Sequence, residues 1–336
     1  MGARLIWFRR AALAATLLCA IVVVVGAWVR LTDAGLGCPD WPGCYGQIHP
    51  AQVIDSGAYP DRPFDYRKAL NEMVHRYVVA ALGLVILGLA ALSFLNRADP
   101  AQPRVLPWVI VALVALQALL GMWTVTLLLK PLVVTLHLLG GFATLSLLWW
   151  LALAPERREL KAAERPVRNL AIVAMTVMVL QVALGGWTSS NYAAAACAEF
   201  PTCHGSWWPD MDFANAFVLW RGLGIDYEGG VLGGPARVAI QYSHRLGAYL
   251  SALLLLLLVA GVWRRGQTLV TRSAGTAVLL ALMLQILVGM NLIWQGWPLW
   301  LGTMHNAGAA AIALAMVALL RCLIPRSEGG PVRLRS

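Results

Sequence analysis

Four histidines, His75, His137, His244 and His305, lie within or at the ends of long apolar runs, where an ionisable side chain is costly and usually serves function. Taken singly, each reads equally well as a neutral packing residue hydrogen-bonded to a neighbour; four in a regular pattern argue for ligation. Two imidazoles in an apolar slot, without added carboxylate or thiolate ligands, fall short of a zinc site, which recruits a third or fourth protein ligand. Heme supplies its own four nitrogens, needs only axial ligands and buries a large hydrophobic macrocycle, so bis-histidine heme fits this residue set best. No Cys-x-x-Cys-His is present, which leaves covalent c-type attachment unsupported. Arg76 and Arg245 directly follow two of the histidines. They read either as partners of heme propionates or as side chains snorkelling to the interface. His49 and His204 fall in loops and read as solvated.

The landmarks occur twice, in one order. Gly26-Ala27-Trp28 matches Gly185-Gly186-Trp187, and Cys38 and Cys44 follow Trp28 at the same distances, 10 and 16 residues, as Cys197 and Cys203 follow Trp187. His75-Arg76 matches His244-Arg245. Leu116-Gln117 with Gly121 recurs as Leu284-Gln285 with Gly289, and His137 and His305 each follow their glutamine by 20 residues. Gln117, Gln181 and Gln285, each four residues before a glycine, read as interhelical hydrogen-bonding and close-packing positions rather than catalytic ones.

The elements that carry these residues follow from composition. The 336 residues are 60% hydrophobic and only 12% charged, far from the quarter charged of a soluble domain. Stretches free of Asp, Glu, Lys and Arg cover 11–29, 77–96, 105–129, 131–155, 169–198, 246–263 and 273–320. A bilayer core takes about 20 helical residues, and Gln295-Gly296-Trp297-Pro298 breaks the last stretch in two. Eight transmembrane helices result, an all-α integral membrane protein. His75 and His244 are expected to open the second and sixth of them. A secretory signal peptide at the N-terminus is disfavoured: the apolar core is long for one, no small-x-small cleavage site follows, and the repeat needs the helix. Each half holds an even number of helices, so the halves enter the membrane in the same direction as a parallel repeat of two four-helix bundles. The halves are 1–154 and 169–336, with 155–168 as a charged linker.

The net charge of +10 raises the question of nucleic acid, but 17 of the 26 Lys and Arg residues sit in the N-terminus, near 97–104, 157–168 and 264–272, and in the C-terminal stretch. That is the membrane pattern, not a basic groove. It puts both termini in the cytoplasm and the long loops, about 31–70 and 190–237, on the other side, in an oxidising setting where disulfides persist. Loop disulfides Cys38–Cys44 and Cys197–Cys203 are the natural inference. The second reads as a staple; for the first, stapling and redox activity both stay open. Cys19 and Cys322 read as small apolar residues. Glu72 lies three residues before His75, on one helical face with it, whereas the second half has Gln241 at that place. A carboxylate near a helix N-terminus is comfortable for dipole reasons alone, yet the asymmetry places chemistry in the first half.

Arg30-Leu-Thr-Asp-Ala-Gly-Leu-Gly-Cys-Pro-Asp-Trp-Pro-Gly-Cys44, Glu72-Met-Val-His75-Arg76, His137, Tyr242-Ser-His244-Arg245 and His305 together resemble the heme A synthase family over nearly the whole chain. The resemblance implies an inner-membrane oxidoreductase of cytochrome oxidase assembly that oxidises the C8 methyl of heme O to a formyl group by successive hydroxylations, giving heme A. It implies that His75 and His137 flank the substrate heme O with Glu72 beside the reacting group, and that His244 and His305 are axial ligands of a heme b cofactor. Cys38 and Cys44 match a pair that family members use near the substrate half. Heme O synthase is an implied pathway partner. The electron acceptor, the oxygen source and the oligomeric state, a homo-oligomer included, are not read from the sequence. Nor is the role of residues 204–236, with Trp220, Arg221, Gly222 and Asp226. Three rivals come from other classes. A diheme b-type cytochrome for electron transfer would need hemes at two depths, whereas all four histidines are expected on one side. A membrane thiol oxidase leaves the histidines unexplained. A heme exporter or chaperone shares the same residues.

Overall fold

The structure, a computed structural model, describes residues 3–53, 59–60, 62–154, 164–265 and 268–324. Eight long helices are α1 (Ala3–Leu31), α2 (Tyr66–Leu95), α3 (Leu106–Thr126), α4 (Pro131–Ala152), α5 (Arg165–Ser190), α7 (Gly234–Arg264), α8 (Leu269–Trp294) and α9 (Leu299–Leu323); α6 (Phe213–Ala216) is a single turn in the second long loop. All eight long helices are apolar enough to cross a bilayer, and rows of exposed leucines such as Leu84, Leu180, Leu253 and Leu280 form the surface that faces lipid. The protein is a multi-pass membrane protein.

Local chemistry explains where the helices begin and end. The Asp65 carboxylate caps α2 by accepting from Arg67 N at 2.9 Å, and proline occupies the first turn of α3, α4, α5 and α7, where its missing N–H costs nothing. Between α8 and α9 the chain turns through Gly296 and Trp297, both left-handed at φ 71° and 65°. One sequence expectation is corrected. His75 and His244 do not open their helices: α2 starts at Tyr66 and α7 at Gly234, nine and ten residues earlier. Arg67, Lys68, Arg76, Arg237 and Arg245 cut the charge-free run short, yet they lie toward the loop end, where the heads of Lys68, Arg76 and Arg245 find polar partners. Residues 155–163 of the expected linker lie outside the described residues, and 165–168 already belong to α5.

Helix α1 packs on α2 and α4, and α3 packs on the same two; in the second half α5 packs on α7 and α9, and α8 packs on the same two. Contacts α1–α9, α4–α5 and α4–α9 join the two groups, reinforced by Trp149 Nε1 donating to Leu314 O at 3.0 Å and Asn306 Nδ2 to Val23 O at 3.2 Å. One apolar core includes residues of all eight long helices, among them Phe8, Ile86, Leu148, Ala174, Leu258, Val278 and Met316. In α2, α4, α7 and α9 these core residues follow the histidine; in α1, α3, α5 and α8 they precede Gly26, Gly121, Gly185 and Gly289. The histidines therefore form a layer between a dense core on the side of the chain termini and the long loops on the other.

Candidate functional site

Each histidine packs against a glycine on the preceding long helix. A Cβ built on Gly26 would stand 3.0 Å from His75 Cε1, on Gly121 3.4 Å from His137 Cε1, on Gly185 3.2 Å from His244 Cε1 and on Gly289 3.2 Å from His305 Cε1. Each of these glycines lies five residues before the end of its helix. One helix-pair unit thus recurs four times, α1–α2, α3–α4, α5–α7 and α8–α9. The side chain absent at glycine leaves the room that an imidazole occupies.

Across the second group, the rings of His244 and His305 face each other with centroids 6.5 Å apart and planes at 75°. Two imidazoles sharing one metal, at ~2.0–2.1 Å per metal–nitrogen bond, put their centroids about 6 Å apart, so the separation suits a pair of axial ligands. His75 and His137 lie within electrostatic reach of each other in the first group. All four histidines keep partial exposure although helices surround them. Nδ1 of His75, His137 and His305 is buried without a hydrogen-bond partner, a state that costs free energy unless another group satisfies it. Among the described residues no cluster of three or more His, Cys, Asp or Glu could hold a metal ion. Two paired imidazoles in such surroundings suit a group that brings its own equatorial ligands, and heme does so.

Glu72 is buried at 5% exposure. Its Oε2 accepts from Cys38 N at 2.9 Å and its Oε1 from Arg76 Nη2. Arg76 Nη1 also donates to the carbonyls of Asp40, at 3.0 Å, and Pro42, at 3.2 Å. These bonds tie the Cys38–Cys44 disulfide loop to α2 one turn from His75. The second half repeats the device: Arg245 donates to Cys197 O at 2.7 Å, Glu199 O at 2.6 Å and Thr202 O at 3.0 Å, gripping the Cys197–Cys203 loop. Both expected cysteine pairs are therefore bonded, and both arginines place their N–H groups on loop carbonyls. Gln241, in the place of Glu72, is buried with Oε1 unpartnered. Cys19 and Cys322 are buried and take no part in the two disulfides. His49 is exposed and caps a short 3-10 turn through Nδ1, accepting from Ala51 N at 3.1 Å; His204 is an exposed turn residue at φ 52°.

The second loop crosses to the first half, which the sequence did not reveal. Lys130, 1% exposed, donates to Gly222 O and lies 3.4 Å from the ring centroid of Trp220. Arg62 pairs with Asp226 and, at 2.6 Å, with Glu228; Lys68 meets Glu228 at 3.0 Å, and Tyr227 N donates to Leu128 O at 3.1 Å. Arg221 bonds within its own loop, to Asn215 O. Nearer the joint of the halves, Arg30 Nη2 donates to Ser189 O at 2.6 Å and stacks on Tyr192. Lys130 was the available signal: a lone charge between two apolar runs.

Comparison with known proteins agrees with this assembly. The family described as cytochrome oxidase assembly protein, COX15-CtaA, matches residues 9–317. The chain is similar to the heme A synthase of Shewanella oneidensis, 42% identical over 324 residues, covering 94% of this chain and 96% of that protein. It is 30% identical to the heme A synthase of Cereibacter sphaeroides, covering 92% of this chain and 86% of that one, and 29% identical to that of Caulobacter vibrioides, covering 87% and 88%. Repeated histidine layer, paired disulfide loops and near full-length similarity converge: the chain belongs to the heme A synthase family.

Proposed function

We propose that the protein converts heme O to heme A, as an integral-membrane oxidoreductase that oxidises the C8 methyl of the porphyrin to a formyl group by successive hydroxylations. The observation that carries this reading is the asymmetry of two otherwise matching histidine sites. Glu72, one turn from His75, is anchored beside the first, whereas the neutral Gln241 stands at the second. Residues 1–154 would hold the substrate between His75 and His137. Residues 169–336 would hold heme b through His244 and His305, and the chemistry such a group would supply there is electron transfer.

The chain's own groups divide the remaining work. Glu72, its charge balanced by Arg76, would orient water or accept a proton at the edge of the substrate heme. Arg76 and Arg245 carry positive charge to the loop end of each site, where propionates would lie, while their N–H groups hold the disulfide loops in place. Lys130 and the second loop close the loop end of the first half against water. The basic clusters support a reading with both termini in the cytoplasm and the cysteine loops outside, and heme O synthase would be the enzyme class that supplies the substrate.

The test is to purify the protein from cells that supply heme O, extract the non-covalent hemes, and identify them by chromatography and mass spectrometry. Heme b together with heme O or heme A, with heme A absent from Glu72→Gln and His75→Ala proteins, is the expected result. Heme b alone, in two equivalents and unchanged by those substitutions, overturns the reading in favour of an electron-transfer cytochrome.

A further inference from the structure

The four helix-pair units differ in one detail. Three carry a glutamine one turn before the glycine and a second glycine three residues after the histidine: Gln117 with Gly140, Gln181 with Gly247, Gln285 with Gly308. In each, a Cβ on that second glycine would collide with the glutamine amide, so the glycine exists to admit the amide beside the histidine's helix. In the second half the amide reaches the imidazole. Gln181 Nε2 lies 3.0 Å from His244 Nδ1 and donates to His244 O at 3.0 Å; Gln285 Nε2 lies 3.3 Å from His305 Nε2. In the first half it does not. Gln117 Nε2 is buried without a partner, as is His137 Nδ1, and His137 meets the backbone of Gln117 rather than its amide. The His75 unit has Val22 and Val78 at the glutamine and glycine places, so neither first-half histidine has the amide latch.

We infer that Gln181 and Gln285 are positioning residues that latch His244 and His305 into place and make the second-half heme resident, while the unlatched histidines of the first half let their heme enter and leave. The inference rests on the assignment of the two halves given above. A ligating imidazole is oriented by the hydrogen bond at its other nitrogen, and removing such a partner costs about 10–100-fold in affinity. The amides touch Nδ1 of His244 and Nε2 of His305, which would leave Nε2 of His244 and Nδ1 of His305 for the heme. The ligated ring carries a proton on that nitrogen and needs an acceptor. Oε1 of both glutamines is buried without a partner, so a half-turn of the amide provides one, at Gln181 in exchange for its bond to His244 O. A substrate that must depart as product is served by the opposite arrangement, with no latch.

The test uses the full-length protein purified with its hemes, reduced and mixed with carbon monoxide, which binds ferrous heme when an axial histidine dissociates. Heme b reduction potential is measured in parallel. In the wild type, carbon monoxide should bind the first-half heme and leave heme b unreacted. Gln181→Leu and Gln285→Leu should raise the rate at heme b by about 10–100-fold and shift its potential, while Gln181→Glu and Gln285→Glu, which keep an acceptor, should restore both. Val22→Gln with Val78→Gly should slow the reaction at the first-half heme. Equal reaction of both hemes in the wild type, or leucine variants with unchanged rate and potential, overturns the latch. If the leucine variants lose heme b altogether, retention in the glutamate variants supports the latch and loss in both refutes it. His244→Ala with undiminished heme b overturns the assignment of the halves, a failure distinct from the others.

Discussion

Replacing Glu72 by glutamine separates the charge of this carboxylate from its shape. Glu72 is 5% exposed and holds two partners, Cys38 N at 2.9 Å and the Arg76 guanidinium. Glutamine keeps an oxygen for Cys38 N and loses only the ion pair. Removing one member of a buried pair costs ~3–5 kcal/mol when the remaining charge is stranded. Arg76 is not stranded, because the carbonyls of Asp40, Pro42 and Gly43 still accept from it. The expected cost of Glu72→Gln is therefore lower, about 2–3 kcal/mol, and Glu72→Ala should cost about 1 kcal/mol more through the orphaned Cys38 N–H. Unfolding by titration with denaturing detergent in mixed micelles measures both, and heme extraction from the same preparations measures conversion. Glu72→Gln should retain heme b and make no heme A. A Glu72→Gln protein within about 0.5 kcal/mol of wild type would refute the reasoning about the pair, and undiminished heme A would remove Glu72 from the chemistry.

Partial burial pulls the Glu228 carboxyl upward, but Lys68 and Arg62 outweigh it and hold the group below its ordinary range. A depressed carboxyl adds stability above its unfolded pKa of about 4.3 and loses it as pH falls through the folded value. The second loop should stay clasped at neutral pH and become protease-sensitive in strong acid, with Glu228→Gln sensitive throughout; equal protection of wild type at both pH values contradicts the clasp. Gly185→Ala puts a Cβ 3.2 Å from His244 Cε1, and the ring must shift by a few tenths of an ångström. Heme b absorption should broaden or weaken while first-half heme content holds, and an unchanged spectrum shows that the glycine is not needed for the ring. Replacing Cys197 and Cys203 by serine opens a loop with a separation of 6 residues, worth about 2 kcal/mol. Thermal stability should fall with heme b retained; loss of heme A synthesis at full stability would instead assign that pair a redox role.

Much of this architecture is legible in the chain because it is written in side chains at fixed spacing. The eight apolar runs, the four histidines and the two cysteine pairs all stand out. The early starts of α2 and α7 are hidden because Arg76 and Arg245 interrupt the apolar pattern one residue after the histidines. What those arginines hold is hidden for another reason: loop carbonyls carry no side-chain signature. Gln117, Gln181 and Gln285 are visible as close-packing positions, but the glycines that receive them lie 23 or 66 residues later, so only the folded chain pairs them. The clasp from Arg62 to Glu228 spans 166 residues and sits in the very loop that has no repeat partner to be read against.

The reach of the second loop also dictates an order of assembly. Lys130 precedes by 92 residues the carbonyl that satisfies it, and α4, α5 and α6 are made in between. Until residues 220–228 exist, this ammonium group must remain in water, so the loop end of the first bundle stays open after its four helices have crossed the membrane. A ribosome thus produces α1 to α4 before the segment that covers their loop end, and that segment is encoded after α5.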